Sequence, residues 1–312
     1  MQLNILISIV SWRSLDKVDA LLDTFINSLP NGWRILVIET GGRKTSESRY
    51  YKRKEFAIEY IHMQNNGFAA SHQLSVEMMI RQNMDGILLL NPDLILGEKH
   101  LEKLHNCIIA SNNEVVIGAP IFNKKDNGYA VEYLGYPVPK SLKDITEGLL
   151  ASLVGVDDLH ESYNVTDIHG CFMYIPSIVV KRNGWMDTHY FLYGEENEYF
   201  RRLISNNEQI KIFTDLYIVH QNGGTFDNDT LKGIREYYRT RNRLYNHLKF
   251  LGVTYLFKVN YSFLLKYFIG RYVFRIKSFQ GKDLNYYNFL GHLHFFTGKR
   301  GRTLNPNDYV KE

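Results

Sequence analysis

Asp93, His220 and the pair Glu195-Glu196 are the residues of this 312-residue chain whose types and settings could do chemistry. Asp93 follows a continuously apolar run, Gly86-Ile87-Leu88-Leu89-Leu90, and closes Asn91-Pro92-Asp93. A carboxylate there is solvated only through a cleft, and such an oxygen ligand suits Mg²⁺ or Mn²⁺ bridging phosphates. Asn, Pro and Asp are also favoured turn residues, so a plain turn is the competing reading. His220 ends a second apolar run, before Gln221-Asn222-Gly223-Gly224-Thr225. An imidazole there can complete a divalent ion's shell or serve as a hydrogen-bonded structural residue.

Tyr193-Gly194-Glu195-Glu196-Asn197-Glu198 places three acids within six residues. If a helix begins near Glu195, three- and four-residue spacing puts Glu196 on the apolar face with Tyr199, Phe200 and Leu203. Glu198 then falls four residues before Arg202, which predicts a solvated ion pair. An inward carboxylate at a cavity edge is a candidate general base with a raised pKa. The competing reading is that acids simply favour a helix N-terminus.

These residues need a scaffold, and the hydrophobic pattern describes one. Strands are predicted at Ile5 to Val10, Arg34 to Ile38, Ala57 to His62, Gly86 to Leu90, Val115 to Pro120, Tyr129 to Leu134, Ile168 to Ile175 and Ile212 to His220. Helices are predicted at Leu15 to Phe25, Ser71 to Gln82, Leu149 to Leu159 and from Glu195 onward. The first strands are continuously apolar, as in a parallel sheet covered on both faces. Their alternation with helices gives a doubly wound α/β core. Ligands of such sheets bind at the carboxyl ends of the strands. No G-x-G-x-x-G follows the first strand and no G-x-x-x-x-G-K-[ST] occurs, which disfavours a dinucleotide-binding domain and a P-loop nucleotidase.

Composition narrows the class further. At 45% apolar and 22% charged, the chain is no disordered segment. Cys107 and Cys171 are its two cysteines, which argues against a disulfide scaffold or zinc ribbon and makes a reducing compartment the default. The first apolar run lacks a basic leader and a cleavage site and is too short to cross a bilayer, so a buried strand is expected. Net charge is +4, but Leu231 to Glu312 carries 16 basic and 4 acidic residues, a net +12 that leaves the remainder at −8. An acidic body with a basic, aromatic tail points to a surface-binding appendage.

In order, the motifs resemble the family-2 glycosyltransferases with a GT-A fold, especially their bacterial rhamnosyltransferase-like branch. The resemblance runs from Leu3 to about Tyr245. It implies a GT-A catalytic domain over 1–245, with a nucleotide-sugar half to about 120 and an acceptor half after it, followed by a helical region over 246–312. Ile9-Val10-Ser11-Trp12 resembles the strand end that holds the nucleobase, and Glu39 stands where the family usually has Asp. Asn65-Asn66-Gly67-Phe68-Ala69-Ala70-Ser71-His72 is similar to N-x-G-F-A-x-G-x-N, which lies over the donor. Asn91-Pro92-Asp93 is similar to a divergent D-x-D whose last Asp holds the metal. Trp185, Asp187 and Tyr193 fall in the acceptor segment, and Glu195-Glu196 match the catalytic-base motif with Glu for the usual Asp. His220 matches the late metal ligand, and Arg241, after Tyr237-Tyr238, the closing segment near the diphosphate.

The resemblance implies an inverting glycosyltransferase using Mn²⁺ or Mg²⁺. Asp93 and His220 would hold the ion, Glu196 would be the base with Glu195 beside it, and Val10, Ser11, Trp12, Glu39, Asn65, Gly67, Phe68, Ala69, His72, Asn91 and Arg241 would bind the donor. That donor would be dTDP-rhamnose or a UDP-sugar, and the acceptor a saccharide, lipid-linked in bacterial surface polysaccharide synthesis. A sugar nucleotidyltransferase would need a Gly-rich, Arg-containing loop after the first strand, which Ser11-Trp12-Arg13-Ser14 does not supply. A catalytically inactive scaffold would not need Asp93, Glu196 and His220. The tail interleaves Tyr255, Phe257, Phe263, Tyr267 and Phe274 with Lys258, Lys266, Arg271, Arg275 and Lys277, and is predicted to be helical with breaks at Gly252, Gly270 and Gly281. Such helices can lie on an anionic membrane, which implies a cytoplasmic enzyme peripheral on the inner face of the cell membrane. Packing on the catalytic domain or homodimerisation are the alternatives. Nucleic-acid binding is not expected, because the aromatics sit among Leu, Ile and Val.

Overall fold

The computed structural model describes residues 2–97, 99–142, 149–150, 153, 162–221, 229–272 and 284–309. The chain divides into two compact units. The first contains 1–65, 70–185 and 199–223; the second contains 66–69, 186–198 and 224–312.

The first unit is built on two sheets. Its eight-stranded sheet has the order β10-β12-β6-β11-β4-β1-β2-β3. These strands are β1 (Ile5–Ser11), β2 (Arg34–Glu39), β3 (Ile58–His62), β4 (Gly86–Leu90), β6 (Val116–Gly118), β10 (Ser162–Asn164), β11 (Phe172–Pro176) and β12 (Ile210–Phe213). The β3-β2-β1-β4 half is parallel, with Ile7 opposite Ile35 and Leu88, while β11 runs antiparallel to β4 and β6. Continuous apolarity has the predicted consequence. Every residue of β4 is buried, as is every residue of β1 but the partly buried Val10.

Helix α1 (Leu15–Phe25) buries Leu15, Val18, Leu21, Leu22 and Phe25, the stripe its 3.6-residue period dictates. Its first turn is closed by the Ser14 carbonyl, which accepts the Lys17 and Val18 N–H groups. Helices α2 (Phe68–Arg81), α3 (His100–Ala110) and α4 (Ser177–Asn183) follow; α2 starts three residues earlier than predicted. The architecture is the α/β type that the motifs imply, a central sheet with a parallel half and covering helices, with further C-terminal helices.

The smaller sheet, β5-β13-β7-β8-β9, was not foreseen. It comprises β5 (Leu94–Ile95), β7 (Ile121–Lys125), β8 (Gly128–Tyr133), β9 (Leu149–Leu150) and β13 (Ile218–His220). The single strand predicted over Ile212 to His220 is in fact β12 and β13, divided by a 3-10 turn at Thr214–Leu216. Leu149 and Leu150 are strand rather than helix, and most of the remainder of that predicted helix lies outside the described residues.

In the second unit, α5 (Glu195–Ser205) begins at the predicted residue. Helix α6 (Asp229–Tyr272) is kinked at Gly252, whose φ of +78° no helix supplies. It passes through Gly270 without a break, contrary to the prediction, and Gly281 lies outside the described residues. Helix α7 (Leu284–Phe296) packs on α6, with Phe295 against Leu244 and Leu256. The chain therefore crosses residue 245 inside one helix, and residues 237–246 share their unit with 284–309.

Candidate active site

In the first unit, β4 delivers Asp93 and β13 delivers His220. The antiparallel β5-β13 pairing places His220 opposite Leu94, and the Gln221 N–H donates to the Asp93 carbonyl at 2.8 Å. His220 Nε2 thereby sits 3.2 Å from Asp93 Oδ2, while His220 Nδ1 is 2.8 Å from Glu132 Oε2. Both members of the Asp93-His220 pair are about five-sixths buried.

Burial alone would raise the Asp93 pKa, but contact with His220 outweighs it and holds the carboxyl below its ordinary value. Burial likewise works against charge on His220, yet the two carboxylates outweigh it and push the imidazole up to about 10. Asp93 Oδ1 and Asn123 Oδ1 are buried without a hydrogen-bond partner, and His220 Nε2 has only its 3.2 Å contact with Asp93. Asn123 lies opposite His220 in the β7-β13 register.

Among the described residues, no group of three His, Cys, Asp or Glu side chains is arranged as a metal cage. A carboxylate with an unsatisfied buried oxygen beside an imidazole nitrogen nevertheless fits a divalent ion, for which Asp93 and His220 would be the protein ligands. The donor set suits Mn²⁺ or Mg²⁺.

Around the end of β1, Ser11 and Glu39 are fully buried, and Val10 and Trp12 partly so. Glu39 Oε1 accepts the N–H groups of Gly41 (2.7 Å) and Arg13 (3.2 Å). Its Oε2 is buried without a partner, which leaves one oxygen of the predicted nucleobase contact to spend on a ligand. Asn91 is partly buried, its N–H given to the Cys171 carbonyl. Asn65 is partly buried too.

His72 is placed differently from the donor contact the motif implies. It is 1% exposed and bonded to Ser8 Oγ at 2.7 Å, and burial lowers its pKa to about 3. The side chain points into the core because the α2 face that carries it, with Ser75, covers β1.

The second unit holds the carboxylate pair. Glu195 is buried, and burial together with the neighbouring Glu196 charge raises it to about 8. Glu196, expected on the inward apolar face, is instead partly exposed while Glu195 and Glu198 take the buried positions, and partial burial raises it to about 7. Glu198 is not solvated as predicted. It is fully buried and accepts a 2.8 Å hydrogen bond from Lys249 Nζ, while Arg202 bonds the carbonyls of Asn183 and Trp185.

Two asparagines fix the entry to α5: Asn242, which the motif reading places beside Arg241 in the closing segment, and Asn246, which sequence reasoning does not single out. Asn242 Nδ2 donates to the carbonyls of Leu192 and Tyr193, and Asn246 Nδ2 to that of Gly194. They stand four residues apart on α6, a spacing visible in the sequence, but their target was not.

Gly67 has φ +98°, and a Cβ there would overlap the Phe191 carbonyl, so N-x-G-F-A needs its glycine. Phe68 N–H bonds the same carbonyl at 3.2 Å, and Ala69 is fully buried. A cleft of about 330 Å³ in this unit is lined by Asp187, His189, Tyr190, Asn242, Tyr245 and Lys249. Tyr193 is partly buried with Arg239 over its ring, and in the first unit Trp185 packs against Tyr199.

Arg241 is also placed differently from its expected phosphate contact. It is fully buried, stacked on Tyr237 and Tyr238, and bonded to Thr303 Oγ1 and Asn242 Oδ1. In this arrangement it packs the second unit.

The fold can be set beside known proteins. No protein-family model matches the chain. It is 26% identical over 147 residues to the low-salt glycan biosynthesis hexosyltransferase Agl10 of Haloferax volcanii, a match covering 47% of this chain and 46% of that protein. The chain thus aligns with about half the length of this curated relative. Among solved structures it resembles GalNAc-T7 with UDP, GalNAc and Mn²⁺ (TM-score 0.56, 11% identity, 90% of this chain and 58% of that one). It also resembles the mannosyltransferase PcManGT of Pyrobaculum calidifontis in complex with GDP-Man and Mn²⁺ (TM-score 0.53, 8% identity, 96% and 88%). At these identities the likeness establishes the fold, which is that of GT-A nucleotide-sugar transferases.

Proposed function

We propose that the protein is a metal-dependent, inverting glycosyltransferase that moves a sugar from a nucleoside-diphosphate donor to a saccharide hydroxyl. The observation that carries the reading is the Asp93-His220 pair at strand ends, with Asp93 Oδ1 left buried and unsatisfied. The relative's hexosyltransferase name and the UDP- and GDP-sugar complexes of the structural neighbours support it.

In this reading Asp93 and His220 would hold a divalent ion, which would supply charge stabilisation to the leaving diphosphate. Glu39 offers its free oxygen to the nucleobase. Glu196 accepts the proton of the attacking acceptor hydroxyl, since it is the partly exposed member of the pair and its pKa near neutrality suits a base. Asn242 and Asn246 hold the backbone that aims it. Glu195, buried beside it, keeps that pocket's carboxylates from ionising together.

The donor is a dTDP-rhamnose or a UDP-sugar, and the acceptor a lipid-linked saccharide of a bacterial-type surface polysaccharide. No described helix is long and apolar enough to cross a membrane. Leu251, Val253, Tyr255, Phe257, Tyr261 and Leu265 are nevertheless exposed along α6, with the exposed Lys258 among them. That combination supports docking on an anionic membrane surface where such an acceptor resides.

Incubation with UDP-, dTDP- and GDP-sugars and Mn²⁺ tests the function. Nucleoside diphosphate should be released from a donor of one nucleobase and only with the metal. Release from none of them would favour the inactive scaffold.

A further inference from the structure

The ring of His220 is held by a residue that no motif marks. Pairing between β7 and β8 places Ile121 opposite Tyr133 but Phe122 opposite Val131, so Glu132 is the extra residue of a β-bulge. Bulges redirect a side chain that regular pleating would send elsewhere. Here Glu132 reaches past β7, the strand between β8 and β13, and its Oε2 meets His220 Nδ1 at 2.8 Å. Its second oxygen faces His169, whose Nε2 is 3.9 Å away. His169 Nδ1 accepts the Cys171 N–H at 3.2 Å, so the proton of a neutral His169 is on Nε2, toward Glu132. Both oxygens of Glu132 are thus oriented.

We propose that Glu132 is a positioning residue that fixes His220 with Nδ1–H donated, keeping Nε2 turned to Asp93 as a ligand nitrogen. The inference rests on the reading of Asp93 and His220 as the ion-holding pair, and it adds the residue that sets tautomer and ring angle. An imidazole ligand needs such a partner on its other nitrogen, and removing one typically costs 10–100-fold in metal affinity. Glu132 acts through His220, not on the ion.

The test is Mn²⁺ titration of the full chain followed by electron paramagnetic resonance, with ¹⁵N spectra of the imidazoles and a melting curve for each variant. Glu132→Ala should weaken Mn²⁺ binding about 10- to 100-fold. With diamagnetic Mg²⁺ in place of Mn²⁺ for the ¹⁵N spectra, it should also abolish the Nδ1–H preference of the ion-bound His220. Glu132→Gln, whose amide oxygen can still accept that N–H, should recover most of the affinity. In a His220→Ala background, Glu132→Ala should add nothing. Unchanged affinity in Glu132→Ala, or a full additional loss in the His220→Ala background, would overturn the positioning role while leaving the metal reading intact. A wild-type chain that takes up no Mn²⁺ would overturn the metal reading itself, and with it the purpose assigned to the bond.

Discussion

Asp93 Oδ2 and His220 Nε2 are brought to 3.2 Å by two short strands, β5 and β13, whose antiparallel pairing sets His220 opposite Leu94. The Asp93 carbonyl accepts the N–H of Gln221, so backbone as well as side chains hold the pair. Neither strand exceeds three residues. The geometry comes from the sheet they join, not from either segment alone.

Asp93→Ala should abolish transfer and also lower the melting temperature, because it takes a carboxylate from the largely buried His220, so Asp93→Asn serves as the milder control. His220→Ala should reduce Mn²⁺-dependent turnover less severely. Turnover and melting curves on the same preparations check both. Near-normal turnover of Asp93→Ala with Mn²⁺ chelated would sink the assignment.

Glu196→Gln keeps volume and hydrogen bonding but cannot take a proton. Turnover should fall by about two to four orders of magnitude, with donor binding nearly unchanged. Glu195→Gln, at a buried position, should fall less. A larger loss in Glu195→Gln would exchange the two roles.

The base must be ionised to work, and burial raises Glu196 to about 7. The kcat/KM profile should therefore decline as pH falls through about 7 and level off above it. A profile flat from pH 5 to 8 would contradict Glu196 as base.

His72 carries a separate pH signature in stability. Its folded pKa of about 3 lies below the unfolded value of 6.5, so the unfolded chain binds the extra proton between them. Stability should be full above pH 6.5 and fall as pH is lowered from 6.5 toward 3. His72→Gln should flatten that decline in urea titrations, and an unchanged slope would show the ring to be accessible.

The tail should bind anionic liposomes at low salt and release as salt rises. Phe257→Ser with Tyr261→Ser, both on exposed positions of α6, should weaken binding without changing the melting curve. Indifference of the intact chain to such vesicles would leave packing or self-association as the tail's role.

Where local pattern suffices, the sequence was readable. Continuous apolarity identified β4 within its observed bounds, and the helix predicted over Leu15 to Phe25 is α1. Asp93 and His220 stood out because each closes such an element, whereas the helix-face reading turned Glu196 inward when Glu195 and Glu198 are the buried acids. Short strands carry too few residues for a period, so β5, β9 and the smaller sheet were not visible. Long-range pairing hid the rest. Lys249 reaches Glu198 in the interior; Ser8 turns His72 inward; Thr303 and two tyrosines enclose Arg241. Glu132 sits on a bulge whose existence depends on the register of β7 against β8.

The central claim is tested most directly by calorimetric and thermal-shift titration of UDP, dTDP and GDP with and without Mn²⁺, on wild type and Asp93→Asn. One nucleoside diphosphate should raise the melting temperature when Mn²⁺ is present, reaching about 2.7 kcal/mol of stabilisation at a hundredfold excess over Kd. Chelation or Asp93→Asn should remove most of that shift. Stabilisation by none of the three with Mn²⁺, or a shift that persists in Asp93→Asn under chelator, would contradict the account.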